Sequence, residues 1–197
     1  IGTFSCNFRC RYCSNAYIAK EDPEIQQDRM YHLTPRELVS MAQKHNCRSI
    51  IFNVNEPTVS IPSLLDVAEE ARAAAIPVGC LTNGYTTVES TELLASIFSF
   101  FNISIKGISR HFNRTYIGIE SSEPVLRNIR RLAQDRHVEI TTPIIQGAND
   151  GEIDAIAEFL VGVDPEIPWH VLRLLPEDEM KDAEYPNIQA IDAALQS

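Results

Sequence analysis

Short apolar segments alternate with amphipathic helical segments along this chain, and the alternation limits the folds that it can adopt. The segments of strand length are rich in β-branched and aromatic residues; they are residues 48–54, 77–82, 101–105, 138–145 and 169–175. Helical patterns occupy residues 34–45, 62–75, 90–98, 123–135 and 150–162. Because strands joined through helices pair in parallel, the pattern predicts an α/β fold.

The sequence also indicates where the first long helix begins and predicts a further strand at the start of the chain. Thr34, Pro35 and Glu37 form a capping-box sequence, which predicts that the first long helix begins there. Residues 1–5 are the expected remnant of a first strand, which would make about six βα units in a sheet that is either doubly wound or curled into a partial barrel.

A length of 197 residues predicts one domain over 1–197, and a start at Ile1 rather than Met predicts residues upstream.

Charge and cysteine usage exclude several function classes. The net charge of −10 provides no basic stripe and argues against nucleic acid as a partner. Charged residues or prolines interrupt every apolar stretch before about 18 residues, so no membrane span is expected. The chain has five cysteines, an odd number, and three are too close together for a disulfide framework, which predicts a reducing cytoplasm.

Three cysteines in the stretch "CNFRCRYC", Cys6, Cys10 and Cys13, form the most specific chemical signal. They follow the first expected strand, and ligands of α/β folds bind beyond the carboxyl ends of strands. Three thiolates can hold three irons of a four-iron cluster and leave the fourth iron open, whereas structural zinc normally takes four protein ligands. The nearest histidine, His32, has no partner at zinc-finger spacing. A zinc site and uncoordinated cysteines remain the alternatives to a [4Fe-4S] cluster.

The CxxxCxxC spacing with Tyr12 before the third cysteine resembles the signature of radical S-adenosylmethionine (SAM) enzymes. Further phrases in the same order extend the resemblance over essentially the whole chain: "NEPTVSIPSLL", "LTNGY", "ISIKG", "EITTPIIQGAND" and "PWHVLRLLPEDEM". They look like the branch that contains pyruvate formate-lyase activating enzyme, and are most similar to the AmmeMemoRadiSam-system proteins. The resemblance implies an α/β fold with a partial (β/α)6 TIM-like barrel, and SAM across the carboxyl ends of its strands.

The resemblance also implies roles for individual residues. Cys6, Cys10 and Cys13 would ligate the [4Fe-4S] cluster, whose open iron would take the amino and carboxylate groups of SAM. Tyr12 and Ser14 would contact the adenine or ribose. The remaining cofactor-binding residues implied by the resemblance are Asn53, Asn55, Glu56, Asn83, Ser104 and Lys106.

These positions also depart from the family pattern. Asn53, Asn55 and Glu56 lie in the stretch that corresponds to "GGEP", where Glu56 would bind the SAM amino group, but Val54 and Asn55 replace both glycines. Side chains therefore occupy space that glycine would leave open. Asn83 is expected to form a turn with Gly84 and also to be able to face the pocket.

Two cations are notable at the strand ends. Lys106 is an expected partner of the SAM carboxylate, and Ser104 replaces an aspartate that helps build a cation site in activating enzymes. Arg173 lies in an apolar strand, where an unpaired charge would be costly, so it either meets an anion at the rim or leaves the barrel.

We therefore expect an enzyme that cleaves SAM reductively to a deoxyadenosyl radical, which abstracts hydrogen from an unknown small-molecule or protein substrate. An electron donor such as flavodoxin or ferredoxin is an expected partner. One alternative is an activating enzyme that installs a glycyl radical in a protein. Outside this class, the alternative is an iron–sulfur electron carrier or sensor that never cleaves SAM.

Overall fold

A computed structural model describes residues 1–25, 31–189 and 191–192. Five parallel strands form one sheet in the order β1-β2-β3-β4-β5. The strands are β1 Ile50–Phe52, β2 Val78–Thr82, β3 Phe100–Ser104, β4 His137–Ile144 and β5 Trp169–Arg173. Because the order follows the chain without reversal, right-handed crossovers place the connecting helices on one face, as in a TIM-like barrel and unlike a doubly wound sheet.

Five of the described helices fall close to the segments that the sequence predicts, and two short ones, α1 and α5, were not predicted. The helices are α1 Ala16–Ala19, α2 Pro35–Lys44, α3 Ile61–Ala73, α4 Val88–Ile97, α5 Arg110–Phe112, α6 Glu123–Leu132 and α7 Ile153–Val163. The capping box at α2 is confirmed: the Thr34 hydroxyl accepts a hydrogen bond from the Glu37 N–H, and the Glu37 carboxylate accepts one from the Thr34 N–H. A π-helical turn, Asn113–Ile117, follows α5.

The two faces of the sheet differ in character. On β4, Val138, Ile140, Thr142 and Ile144 are buried, and they alternate with half-buried or exposed residues on the opposite face. Val138 and Ile140 pack in the main hydrophobic core, where their register partners on β3 are Phe101 and Ile103, and Ile144 packs in a second cluster with Ile153. The opposite face carries polar side chains, among them Asn102 and Ser104 on β3 and Glu139 and Thr141 on β4.

Residues 1–5 were expected to form a strand, and this expectation is wrong in detail. Ile1 makes two ladder-like bonds beside β1: its amino group donates to the Ile51 carbonyl at 2.7 Å, and its carbonyl accepts from the Asn53 N–H at 2.8 Å. The ladder then stops, because the Thr3 N–H donates to the side chain of Asn55. Ser5, with φ of 68°, then turns the chain out of the extended conformation. The described sheet therefore has five strands rather than six.

Within the described residues, no helix combines the length and apolarity that crossing a membrane requires.

Candidate active site

One cavity of about 360 Å³ lies across the carboxyl ends of all five strands. The loop of residues 6–15 forms one wall, and the exits of the five strands form the others. Every site residue expected from the sequence lines this cavity: Cys6, Cys10, Tyr12, Cys13, Ser14, Asn53, Asn55, Glu56, Asn83, Ser104 and Lys106. Residues up to 100 positions apart in the sequence therefore line the same cavity.

The cysteine loop is held by hydrogen bonds to two other segments of the chain. The Arg9 and Arg11 N–H groups donate to the carbonyls of Ile117 and Tyr116, both at 2.9 Å, in the π-helical turn. The Asn7 amide donates to the Tyr85 carbonyl at 2.8 Å, beyond β2. These contacts fix the backbone of the loop without using any thiol.

The three loop thiols are protected from solvent to different degrees. Cys10 is buried, whereas Cys6 and Cys13 are half-buried. Burial raises the pKa of the Cys6 thiol to about 11 and also raises the pKa of Cys10. In the part of the chain that the structure describes, all cysteines are free, and no group of three His, Cys, Asp or Glu side chains converges on a point where a single metal ion would sit. A four-iron cluster imposes a different requirement, because each thiolate binds a different iron.

The other two cysteines lie outside the cavity lining. Cys80, on β2, is fully buried. Cys47 is exposed, in the turn that follows α2. Its N–H bonds back to the Ala42 carbonyl and closes the helix end.

Tyr12 has the one buried side-chain polar atom without a hydrogen-bond partner among the described residues, its hydroxyl oxygen. The residue is 7% exposed and lines the cavity. The Lys106 ammonium lies 5.9 Å from the centre of its ring. A buried hydroxyl without a partner is costly, so an acceptor supplied by a bound group would stabilise this arrangement.

Glu56 lines the cavity but is buried, and both oxygens of its carboxylate accept hydrogen bonds from the protein. One oxygen accepts from the Thr58 N–H at 3.1 Å and from the hydroxyls of Thr58 and Thr82 at 2.7 and 2.6 Å. The other accepts from the Asn83 N–H at 2.6 Å. Burial raises the pKa of Glu56, and these hydrogen bonds act against that rise. Glu56 thus joins the exits of β1 and β2.

The stretch before Glu56 contains no glycine, but its backbone adopts a conformation that glycine favours. Val54 has φ of 84°, which is a strained conformation for a β-branched residue. The Asn53 side chain accepts a hydrogen bond from the Val54 N–H, and the Asn15 amide donates one to the Val54 carbonyl. Asn55 is occupied elsewhere: its amide donates to the Thr3 hydroxyl and the Ser5 carbonyl, both at 2.8 Å.

Asn83 serves both of the purposes expected for it. Its side-chain oxygen accepts from the Tyr85 N–H at 2.9 Å and shapes the turn at Gly84, which has φ of 68°. Its amide donates to the Asn7 side chain at 2.6 Å and lies 3.7 Å from the Cys6 sulfur. The turn after β2 therefore contacts the cysteine loop directly.

Several residues that hold the strand exits in place were not predicted from the sequence. Asn149 is fully buried, and its amide donates to the carbonyls of Lys106 and Pro143 at 2.7 and 2.8 Å. Lys20, beside the cysteine loop, is ion-paired with Asp178, and Arg11 is paired with Glu179 at 3.1 Å. For the ion pairs with Asp178 and Glu179, the one signal in the sequence was the acidic stretch "PEDE", residues 176–179, which follows the last strand.

Comparison with known proteins identifies the family. The profile of the Radical SAM superfamily matches residues 1–160. An uncharacterized protein of Methanocaldococcus jannaschii is 31% identical over 195 residues, which are 96% of this chain and 56% of that protein. The chain spans about half the length of the curated relatives that it matches.

Solved structures agree with this assignment. A domain of pyruvate-formate lyase-activating enzyme from Bacteroides vulgatus is 25% identical, with a TM-score of 0.59 over 75% of this chain and 91% of that one. SuiB of Streptococcus suis, solved with S-adenosylmethionine, has a TM-score of 0.74 over 98% of this chain and 44% of its own; at 11% identity it supports the fold alone. The expected TIM-like fold and the similarity to the pyruvate formate-lyase activating enzyme branch are thus confirmed, and the chain belongs to the Radical SAM superfamily.

Proposed function

We propose that this chain is the catalytic domain of a radical SAM enzyme, with a [4Fe-4S] cluster on Cys6, Cys10 and Cys13 and SAM in the adjoining cavity. The observation that supports this most is the convergence of the three thiols and the expected SAM-contacting residues on one cavity of about 360 Å³. A volume of this size is in the range of small-molecule sites. The exposed thiol Cys47 and the buried thiol Cys80 do not line it.

The residues present fit these groups. Three thiols at the edge of an open cavity suit a cluster with one iron free for another ligand. The buried Tyr12 hydroxyl without a protein partner suits a site in which a bound group supplies the missing acceptor. Burial that disfavours free thiolates is overcome when iron coordinates them, since metal binding releases the thiol protons.

Cys6, Cys10 and Cys13 would hold the cluster, which when bound would supply the one-electron reduction that cleaves SAM, with the electron coming from a donor such as flavodoxin or ferredoxin. The protein itself positions and encloses the reactants. Lys106 supplies a cation for the SAM carboxylate, and Tyr12 and Ser14 form the side of the cavity proposed for adenine and ribose.

The exits of β1, β2 and β3 would hold the amino-acid end of SAM. Asn53 and Asn83 offer amide groups at the cavity wall, and Ser104 a hydroxyl. We assign positioning roles to Glu56 and Asn55, because their hydrogen bonds to the protein join the strand exits to each other and to the N-terminal residues.

The substrate is a small molecule or a protein. A second candidate function is activation of a glycyl-radical protein, which the similarity to a domain of pyruvate-formate lyase-activating enzyme favours. Ser104, in place of the family aspartate, weakens that candidate. An iron–sulfur carrier or sensor is the third. Free thiols and an iron–sulfur cluster fit a reducing cytoplasm, where we place the protein.

The test is anaerobic reconstitution with iron and sulfide, followed by dithionite and SAM. Cys10→Ala is the test variant, and Cys47→Ala is its matched control because Cys47 is exposed and outside the cavity. We expect about four irons per chain, with equimolar deoxyadenosine and methionine, for the wild type and Cys47→Ala but not for Cys10→Ala. A cluster without cleavage would favour the carrier or sensor, and full iron in Cys10→Ala would refute the ligand assignment.

A further inference from the structure

Four arginines lie on and beside the cysteine loop, although the chain as a whole has a net charge of −10. Arg9 and Arg11 flank Cys10 within the loop. Arg110 begins α5, and Arg114 lies in the π-helical turn against which the loop is held. A basic surface on an acidic protein attracts acidic partners and steers their approach.

Backbone contacts bring these two pairs of arginines together. The Arg9 and Arg11 N–H groups donate to carbonyls of the π-helical turn, and the Arg11 guanidinium lies 5.9 Å from the centre of the Tyr116 ring. A Cβ atom placed on Gly118, at the end of that turn, would lie 3.2 Å from the Arg9 Cβ. The four arginines therefore belong to one region, which we call the arginine surface.

The arginine surface is open to solvent and has more positive than negative charge. Arg9 is exposed, and its side chain makes no ion pair or hydrogen bond within the described residues. The side chains of Arg110 and Arg114 are 71% and 54% exposed, and both pair with the carboxylate of Glu120. Because two guanidiniums share this one carboxylate, they retain one positive charge in addition to that of Arg9.

The acidic residues after β5 do not remove this surplus. Glu179 pairs with Arg11 at 3.1 Å, and Asp178 pairs with Lys20. Each of these carboxylates balances a cation of its own. The surplus positive charge of the arginine surface is therefore available to a partner that approaches from solvent.

The arginine surface lies on the other side of the cysteine loop from the cavity. Alternate residues of the loop, from Cys6 to Tyr12, line the cavity, whereas Arg9 and Arg11 do not. Cys10 is buried between these two arginines. A protein bound to the arginine surface would be separated from a cluster on the loop by the loop itself, and electron transfer requires such a short separation.

We propose that the arginine surface, formed by Arg9, Arg11, Arg110 and Arg114, is the docking site of an acidic electron-donor protein of the flavodoxin or ferredoxin class. The proposal rests on the proposed function, since it requires a cluster on the cysteine loop. In the step that it serves, the reduced donor loses one electron and the cluster gains one, and no bond forms or breaks. The donor and SAM would thus use opposite sides of the loop.

The experiment measures the binding of purified, oxidised flavodoxin to the reconstituted chain by isothermal titration calorimetry, at about 50 mM and about 500 mM salt. A [2Fe-2S] ferredoxin is the second probe. One test variant is Arg9→Glu. The other combines Arg110→Gln with Arg114→Gln, which leaves the charge of Glu120 uncompensated.

Arg72→Gln is the matched control. Arg72 is exposed at the end of α3, and it lies in a groove with Pro77 and Val78, at the amino end of β2. The cysteine loop lies at the carboxyl ends of the strands, so Arg72 is at the other end of the sheet. Circular dichroism and iron content check that every variant is folded and carries its cluster.

At low salt, we expect at least one probe to bind the wild type and Arg72→Gln equally, and to lose about tenfold in affinity in both test variants. High salt should weaken binding to the wild type, because it screens exposed charges. With dithionite, which needs no docking site, all variants should form deoxyadenosine at the wild-type rate. With reduced flavodoxin below its dissociation constant, the test variants should be about tenfold slower.

Several results would overturn the proposal. They are binding of neither probe to the wild type, equal binding to the wild type and both test variants, an equal loss in Arg72→Gln, and binding that salt does not weaken. A single-stranded oligonucleotide that binds the wild type and is lost in Arg9→Glu, with donor binding unchanged, would reassign the surface to nucleic acid.

Failure of the proposed function gives a different result. In that case the wild type forms no deoxyadenosine even with dithionite. Binding of the oxidised donor is measured without SAM, so the two failures are distinguishable.

Discussion

The buried amide of Asn149 donates a hydrogen bond of 2.7 Å to the backbone carbonyl of Lys106. The same side chain donates to the Pro143 carbonyl and accepts from the Ile145 N–H at 2.7 Å. The exit of β3, which carries Lys106 into the cavity, is therefore fixed to the exit of β4 by one residue. Asn149 is a positioning residue for Lys106.

Asn149→Ala should lower the free energy of unfolding by about 2–4 kcal/mol, because three buried backbone groups lose their partner. It should also weaken SAM binding, through displacement of Lys106. Urea unfolding and equilibrium SAM binding test this. Gln43→Ala, on the exposed surface of α2, should change stability by less than about 0.5 kcal/mol. Unchanged SAM affinity in Asn149→Ala would mean that the position of Lys106 does not depend on this bond.

Tyr12→Phe should leave the metal-free chain as stable as the wild type, or raise its unfolding free energy by up to about 1 kcal/mol, because the hydroxyl that it removes has no partner. In the reconstituted protein, the same change should alter the electron paramagnetic resonance spectrum of the reduced cluster. Tyr17→Phe, at an exposed tyrosine, should change neither. A loss above about 1 kcal/mol in the metal-free chain would mean that the hydroxyl has a protein partner.

Glu56→Gln should lower the unfolding free energy by about 2–3 kcal/mol, because the amide offers one acceptor oxygen and turns an NH₂ donor toward groups that themselves donate. Chemical denaturation measures the loss. Glu69→Gln, on the exposed side of α3, is the matched control and should be neutral. If Glu56→Gln were as stable as this control, the four hydrogen bonds to Glu56 would not hold the strand exits together.

Val54→Gly should raise the unfolding free energy by about 1 kcal/mol, because relief of the left-handed strain exceeds the entropy that glycine adds to the unfolded chain. Val88→Gly provides the opposite case, since Val88 is exposed in the first turn of α4, and it should lose about 0.5–1 kcal/mol. Thermal unfolding of both variants is the measurement. Equal losses in both would show that Val54 is not strained.

The polar face of the sheet predicts a pH dependence of stability. Hydrogen bonds from His137 and His170 lower the pKa of Glu139. A carboxyl whose pKa is lowered by folding stabilises the protein above its unfolded pKa, and this contribution is lost as the pH falls through the lower folded value.

The stability difference between the wild type and Glu139→Gln should therefore be larger at about pH 5 than at about pH 3. It should stay below about 1 kcal/mol, since the side chain is 35% exposed and solvent screens the interaction. Glu158→Gln, at an exposed site on α7, should show no such change. A gap that widens toward acid would contradict the assignment.

Local signals in the sequence predicted most of the fold, and long-range contacts decided the rest. The capping box at Thr34 depends on residues three positions apart, so α2 could be located from its sequence. The strand expected over residues 1–5 does not form because Asn55, 52 positions away, accepts a hydrogen bond from the Thr3 N–H. No local pattern records that competition.

The same distinction between local signals and long-range contacts applies to the candidate site. The cysteine spacing is local, and the rule that strand exits share one rim placed the other expected residues around the cavity. Asn149 and the Lys20–Asp178 pair were missed because their roles depend on which side chains meet across the rim. Their residue types alone are ordinary in loops.

The anchoring of the cysteine loop bears on the order of events during maturation. Backbone bonds to Tyr116 and Ile117, together with the Asn7 bond to Tyr85, shape the loop by protein contacts that need no iron. The loop therefore holds its shape through contacts of the chain itself. In the proposed function, the cluster would bind to a loop that protein contacts have already shaped.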